Sequence, residues 1–317
     1  MHSRSLDRRS FLLGAAAGGA LLGLGPRAPI ALAADAAGKP GPGKIGDFKI
    51  SLAEWSLHKA LFSGKLDNLD FPRVAREDYD VDGLEYVNQF FKDKAHDSKY
   101  LKELNKRVAD HGLTNVLIMI DGEGDLSSPD KAEREKAAFN HMKWVDAAVE
   151  LGCHAIRINT GEHYGPDDVT AVAETCGLLA AYGETHEIHV ICENHGGPSS
   201  NPDAMLALVK AVDSDNFGTL PDFGNFPRKD GKYAIDVYEA IARMMPFAKG
   251  VSAKSHDFDD EGNETNLDFA RIMKIVTDAG YKGFVGIEYE GSRLPEPDGI
   301  RATKKLLEKL RGSEYAG

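Results

Sequence analysis

Short runs of apolar, β-forming residues alternate along this chain with longer stretches whose apolar residues recur every three or four positions. Eight short runs stand out: Ile50–Trp55, Gly83–Val87, Asn115–Asp121, Ala155–Thr160, Ile188–Glu193, Gly218–Asp222, Gly250–His256 and Phe284–Glu288. Near-continuous apolar runs of this length read as strands buried on both faces. Between them, Asp97–His111 sets Tyr100, Leu101, Leu104 and Val108 on one helical face and stops at Gly112. Ala132–Leu151 is a second helix, stopped by Gly152, and Pro202–Val212, Ala234–Met245, Asn266–Ala279 and Asp298–Leu310 continue the alternation. The strand ends, taken as Glu54, Tyr86, Ile120, Asn159, Glu193, Asp222, His256 and Glu288, are 29 to 39 residues apart. Eight strand–helix units predict one (β/α)8 TIM barrel over residues 44–313. A doubly wound open sheet is the competing arrangement, but no Gly-rich phosphate turn follows the first strand.

The N-terminus breaks the pattern. Asp7-Arg8-Arg9-Ser10-Phe11-Leu12-Leu13 opens an apolar run to about Leu24, and Ala31-Leu32-Ala33 offers small residues for cleavage. A basic segment, a short apolar segment and an A-x-A site read as a signal peptide over residues 1–33. The paired arginines before Phe-Leu give it a twin-arginine character, and hence an exported, periplasmic destination. The alternative is an uncleaved anchor, for which the apolar run is short. Residues 34–43, with Pro40-Gly41-Pro42-Gly43, read as a flexible lead-in. No membrane span is expected once the leader is removed.

Charge narrows the partners. The chain carries a formal charge of −12, and the first 33 residues hold a net +3, so the remainder sits near −15. An acidic surface without a basic patch argues against nucleic acid. Three cysteines, Cys153, Cys176 and Cys192, are too few for a disulfide framework and read as buried small apolar residues. A homo-oligomer is compatible with this composition and not required by it.

The candidate chemistry lies at four successive strand ends: Glu193 in Val190-Ile-Cys-Glu-Asn-His-Gly-Gly197, Asp222 in Leu220-Pro-Asp-Phe-Gly-Asn225, His256 in Ala253-Lys-Ser-His-Asp-Phe258, and Glu288 in Val285-Gly-Ile-Glu-Tyr-Glu-Gly291. Their spacings of 29, 34 and 32 residues are each one repeat, so a barrel would gather them at one mouth. Three carboxylates and an imidazole suit a divalent ion such as Mn²⁺, Mg²⁺, Co²⁺ or Zn²⁺ in a reactive rather than a structural site. Buried together without a cation, three carboxylates repel. Each residue also has a plain structural reading: Asp222 as a cap, His256-Asp257 as a surface turn. Residues two apart on a strand share a face, which pairs Glu193 with His195, Lys254 with His256, and Glu288 with Glu290.

At these residues the chain resembles the sugar phosphate isomerase/epimerase superfamily, the xylose-isomerase-like barrels. The motifs are Glu193-Asn-His-Gly-Gly, Pro221-Asp-Phe-Gly-Asn and Gly286-Ile-Glu-Tyr-Glu. The resemblance implies a Glu-Asp-His-Glu metal site on Glu193, Asp222, His256 and Glu288, with Glu193 and Glu288 acting on substrate protons. Two departures stand out. Ketose 3-epimerases of the superfamily carry a His three residues after the metal Asp and an Arg six residues after the metal His; here these are Asn225 and Gly262. Many relatives read His-x-Lys-Asp-Phe at the seventh strand, whereas this chain reads Lys254-Ser-His256-Asp-Phe, so Lys254 competes with His256 for the ligand position.

The expectation is a metal-dependent sugar isomerase or epimerase that abstracts a proton beside a carbonyl of a non-phosphorylated carbohydrate. Loss of a β-substituent from the same enediolate would give a keto-sugar lyase or dehydratase. His195, Lys254, Arg157 and Asn225 are the candidate substrate contacts, with Glu54 and Trp55 as a sugar-binding wall. Arg157 has the alternative of an outer salt bridge. Two other classes remain: an endonuclease on abasic DNA, disfavoured by charge, and a non-catalytic sugar-binding barrel.

Overall fold

A computed structural model describes residues 39–317. The leader and residues 34–38 of the lead-in lie outside the described residues. Eight parallel strands form one curled sheet: β1 (Lys49–Ala53), β2 (Gly83–Val87), β3 (Thr114–Met119), β4 (Ala155–Ile158), β5 (His189–Glu193), β6 (Phe217–Leu220), β7 (Val251–Ser255) and β8 (Phe284–Tyr289). They are ordered β7-β8-β1-β2-β3-β4-β5-β6. Parallel bridges Thr219–Ala248 and Asp222–Ser252 join β6 to β7 and close the ring. This is the expected α/β barrel, and each predicted strand lies within three residues of an observed one.

Helices α1 (Phe71–Glu77), α2 (Ser98–Asp110), α3 (Lys131–Leu151), α4 (Thr170–Glu184), α5 (Pro202–Val212), α6 (Val237–Met244), α7 (Phe269–Asp278) and α8 (Glu296–Leu310) follow the strands in turn. Their starts are written locally. Asp97, Asp130, Asn201, Asp236 and Asp268 each accept a hydrogen bond from a backbone N–H of the first turn, satisfying donors that a helix leaves unpaired. Gly152 ends α3 at φ 73°, a left-handed position that glycine takes without strain. Two helices, α1 and α4, were not legible. The first is two turns long. The second is apolar almost all round and carries Gly177 and Gly183, so no face stands out.

Two apolar layers result. One lies between sheet and helices and includes Leu84, Leu101, Leu104, Trp144 and Ile156. The other fills the lumen with Ala53, Val87, Leu117, Met119, Ala155, Ile191 and Leu220. The lumen layer floors the barrel and leaves the C-terminal strand ends to polar residues. All three cysteines are free and buried, and Cys192 turns outward onto Met205 of α5. Gly43–Lys44 pairs antiparallel with Glu314–Tyr315, clasping the two ends of the described chain. No helix among the described residues is long and apolar enough to cross a membrane.

Candidate active site

Three of the four predicted carboxyl and imidazole groups converge. Ligand atoms of Glu193, Asp222 and Glu288 lie within 4.8 Å of one another, and all three side chains are buried. Each is fixed by the strand that carries it. Glu193 ends β5. Asp222 follows β6, where its backbone N–H donates to Asn194 Oδ1 (2.8 Å) and its carbonyl accepts from Asn194 Nδ2 (3.0 Å), tying the β5 and β6 ends together. Glu288 lies on β8, in register with Lys254 on β7.

The fourth corner belongs to Lys254, not His256. Lys254 Nζ lies 3.2 Å from Glu288 Oε1, 3.3 Å from Glu290 Oε2 and 4.0 Å from Asp222 Oδ2, and it donates to Asn225 Oδ1 at 3.1 Å. Strand β7 ends at Ser255, so His256 leaves the alternation and turns to the rim, where burial keeps its ring neutral. The Glu-Asp-His-Glu expectation is therefore corrected at its third member. Arg157 faces the same lumen, 3% exposed. Its Nε is 2.9 Å from Glu193 Oε2, and its Nη1 donates to Asp121 Oδ1 and Asn159 Oδ1, each at 3.0 Å. It is an inner cation, not an outer salt-bridge partner.

Each carboxylate oxygen of the cluster has a hydrogen-bond or ion-pair neighbour. Glu193 Oε1 accepts from Asn225 Nδ2 (2.9 Å), while its Oε2 sits beside Arg157 Nε but out of line with the N–H. Asp222 Oδ1 accepts from the N–H groups of Gly224 (2.8 Å) and Asn225 (2.7 Å). Ser252 Oγ bridges Asp222 Oδ2 (2.6 Å) and Glu288 Oε2 (2.8 Å). A hydroxyl has one hydrogen, so both contacts are hydrogen bonds only if one carboxyl is protonated.

The charges follow from this. Burial works against the Lys254 ammonium, but Glu288, Asp222, Glu193 and Glu290 outweigh it and hold its pKa well above the ordinary lysine value. Burial likewise opposes ionised Glu288, yet Lys254, Ser252 and Arg157 keep its pKa below the usual glutamate value. Burial raises Glu193 to about 7 against the pull of Arg157, and raises Asp222 to about 7 against Lys254. Asp121, half-buried, is held at about 2 by Arg157 against the cost of burial.

The other predicted contacts divide. His195 stands at the rim, exposed, its ring kept neutral by the surrounding protein and by Arg157 and Lys254 behind it. Trp55 donates its indole N–H to Glu290 and stacks on His58 at 4.9 Å, with Phe90 and Phe62 alongside. Glu54 is not part of that wall. The chain turns into a 3-10 helix after Ala53, and Glu54 points inward to Asn68 Nδ2 (2.5 Å) and the Val87 N–H (2.9 Å), fully buried. Sequence reasoning missed Ser252 and Asp121. Ser252 was accessible by alternation, two residues before Lys254.

A family model described as the xylose isomerase-like TIM barrel matches residues 74–310, and the chain belongs to that family. Its relatives include the uncharacterized protein MJ1311 of Methanocaldococcus jannaschii, 24% identical over 232 residues that cover 67% of this chain and 74% of that one. The alpha subunit of a C-glycoside deglycosidase from Arthrobacter globiformis is 38% identical over 71 residues, 22% of this chain and 20% of that one. Structural neighbours are sugar epimerases and isomerases, with a dehydratase among them. D-psicose 3-epimerase of Clostridium cellulolyticum H10, solved with D-tagatose, has a TM-score of 0.65 at 15% identity, covering 84% of this chain and 100% of that one. The probable 3-DHS dehydratase of Bacillus anthracis gives 0.63 at 17%, covering 82% and 99%. A xylose isomerase-like barrel of Mycobacterium smegmatis, in complex with magnesium, gives 0.61 at 17%, covering 83% and 95%.

The three-carboxylate group has the spacing a divalent ion uses. The fourth corner does not fit one: an ammonium offers no lone pair, and Lys254 already meets two of the cluster's carboxylates from within.

Proposed function

We propose that this protein is a carbohydrate enzyme that moves a proton at the carbon beside a carbonyl group of a non-phosphorylated keto-sugar or keto-glycoside, as an isomerase or epimerase. One observation carries the reading: of two buried glutamates at one barrel mouth, burial pushes Glu193 toward its protonated form, while Lys254 and Ser252, both within reach of its carboxylate, push Glu288 toward its ionised form. Such a divided pair assigns a base and an acid. Glu288 takes the C–H proton; the bond's electron pair moves into the enediolate, whose oxygen charge faces Lys254 and Arg157. Protonated Glu193 returns a proton. Delivery to the same carbon from the other face gives epimerisation, and delivery to the neighbouring carbon gives isomerisation. The raised pKa of Lys254 leaves it an ammonium, unsuited to Schiff-base chemistry. Both buried cations are committed to carboxylates, which supports an uncharged sugar over a phosphorylated one. An exported location, from the twin-arginine reading of the leader, accords with that.

The 71-residue likeness to a C-glycoside deglycosidase subunit, together with the dehydratase among the neighbours, favours a second outcome of the same step. If the C–β bond breaks instead, its electron pair leaves with the β-oxygen or β-carbon substituent, which takes the proton of Glu193 as the enediolate collapses to the unsaturated ketone, and the enzyme is a lyase. A divalent ion (Mn²⁺, Mg²⁺, Co²⁺ or Zn²⁺) on Glu193, Asp222 and Glu288 is the alternative source of positive charge, supported by the three-carboxylate spacing. Incubation with free keto-hexoses and 3-keto-glucosides in D2O, read by NMR, tests the function. Deuterium should enter beside the carbonyl, and Glu288→Gln should slow it by about 10²–10⁴-fold, the usual weight of a general base. An equal rate in wild type and Glu288→Gln would remove Glu288 from the role.

A further inference from the structure

The fourth corner of the acidic cluster has been built for a lysine. Lys254 has three N–H bonds, and three oxygens stand within 3.3 Å of Nζ: Asn225 Oδ1, Glu288 Oε1 and Glu290 Oε2. Glu290 is itself fixed by the Trp55 indole N–H. The aliphatic stem passes over Gly224, where a Cβ would stand 3.1 Å from Lys254 Cγ and 3.3 Å from Cδ. That glycine is a seat for the stem. Asn225 holds the head by bridging Lys254 and Glu193. Lys254 is 2% exposed, so its charge has no solvent to retreat into when another cation approaches. On the opposite side Arg157 closes on Glu193 and Asp121. Two fixed protein cations thus bracket the three carboxylates that would otherwise hold an ion.

We infer that Lys254 takes the place of the divalent cation in this barrel, so that the site works without a bound metal and the Lys254 ammonium meets the substrate's carbonyl oxygen. The inference rests on the proton-transfer reading above. Of the three Lys254 contacts, only Asn225 is uncharged. A carbonyl oxygen can replace it without leaving a carboxylate unpaired, which marks the approach path between Lys254 and Asn225. When Glu288 takes the C–H proton, negative charge grows on an oxygen already facing the ammonium. No electron acceptor is needed, and the proton ends on Glu288.

The test uses the full chain purified without added metal. Mn²⁺ titration followed by electron paramagnetic resonance should show no stoichiometric uptake by the wild type, and deuterium exchange into a keto-sugar should be unchanged by EDTA. Lys254→Met, which leaves the three carboxylates without their ammonium, should lose exchange by about 10²-fold or more while gaining Mn²⁺ affinity. One tightly held Mn²⁺ per wild-type chain, with exchange abolished by EDTA and restored by Mn²⁺, would overturn the inference. So would a Lys254→Met protein that exchanges at the wild-type rate. The Mn²⁺ titration needs neither variant nor substrate. A wild type that exchanges nothing therefore counts against the proton-transfer reading, while uptake of Mn²⁺ still decides the role of Lys254.

Discussion

Below the three clustered carboxylates lies a further one, Glu85, whose replacement tests the electrostatics of the lumen directly. Glu85 is 1% exposed on β2; its Oε1 accepts from Ser51 Oγ at 2.5 Å, and its Oε2 has no hydrogen-bond partner. Burial raises its pKa from 4.5 to about 8; the Ser51 bond opposes the shift, and Glu288 and Glu193 add to it. The folded chain therefore keeps a proton that the unfolded chain releases. That stabilisation is complete below about pH 4.5 and is lost as pH rises through about 8. At about 1.4 kcal/mol per pH unit, Glu85 alone costs the fold about 3 kcal/mol between pH 6 and pH 9, most of it before pH 8. Glu54, also raised to about 8 by burial, adds a similar loss in the same window. Glu85→Gln cannot ionise, but its amide N–H group meets no acceptor, costing about 1–3 kcal/mol at pH 6. Urea denaturation at pH 6, 7.5 and 9, at one ionic strength, should show the variant weaker at pH 6 and its deficit shrinking by about 3 kcal/mol by pH 9. Parallel pH dependences for wild type and variant would refute a buried, protonated Glu85.

Two further substitutions probe the seat and the rim. Gly224→Ala puts a methyl 3.1 Å from Lys254 Cγ; deuterium exchange should fall about tenfold or more through misplacement of the ammonium, with thermal unfolding nearly unchanged, and an unaltered rate would show that the stem has slack. Trp55→Phe keeps a ring against His58 but removes the donor to Glu290. Steady-state kinetics on an active keto-sugar should show KM raised about three- to tenfold, the weight of one hydrogen bond, and a drop in kcat alone would place Trp55 in the chemistry instead.

Periodicity made the barrel readable because strands covered on both faces are apolar along their whole length, and eight of them recur at repeat-sized intervals. It failed where geometry depends on the chain leaving a strand. Glu54 belongs to the mouth if the first strand runs on to that residue, but the backbone coils into a 3-10 turn there and drives the carboxyl inward. The same limit left Lys254 and His256 unresolved: alternation puts both on one face, and only the end of β7 at Ser255, paired with Tyr289, separates them. Glu193, Asp222 and Glu288 were legible because an acidic residue closing an apolar strand has few structural reasons to be there. Asp121 was hidden because its role is to hold Arg157, a contact between strands that local pattern does not encode.

The charges around the mouth favour a site that handles protons. Among the described residues, the cations that pair with Glu193, Asp222, Glu288, Asp121 and Glu290 are Arg157 and Lys254. The two cations are spent unevenly: they hold Asp121 and Glu288 toward the ionised form, while burial outweighs them at Glu193 and Asp222 and raises both. Ser252, with one hydrogen for two carboxylates, requires the same uneven sharing on purely geometric grounds. A buried carboxyl that holds its proton loosely, beside one that has given its proton up, can return a proton as readily as the other takes one. Enediolate chemistry needs that pair of groups, and here their difference is set by the burial of Glu193 and by Lys254 standing against Glu288.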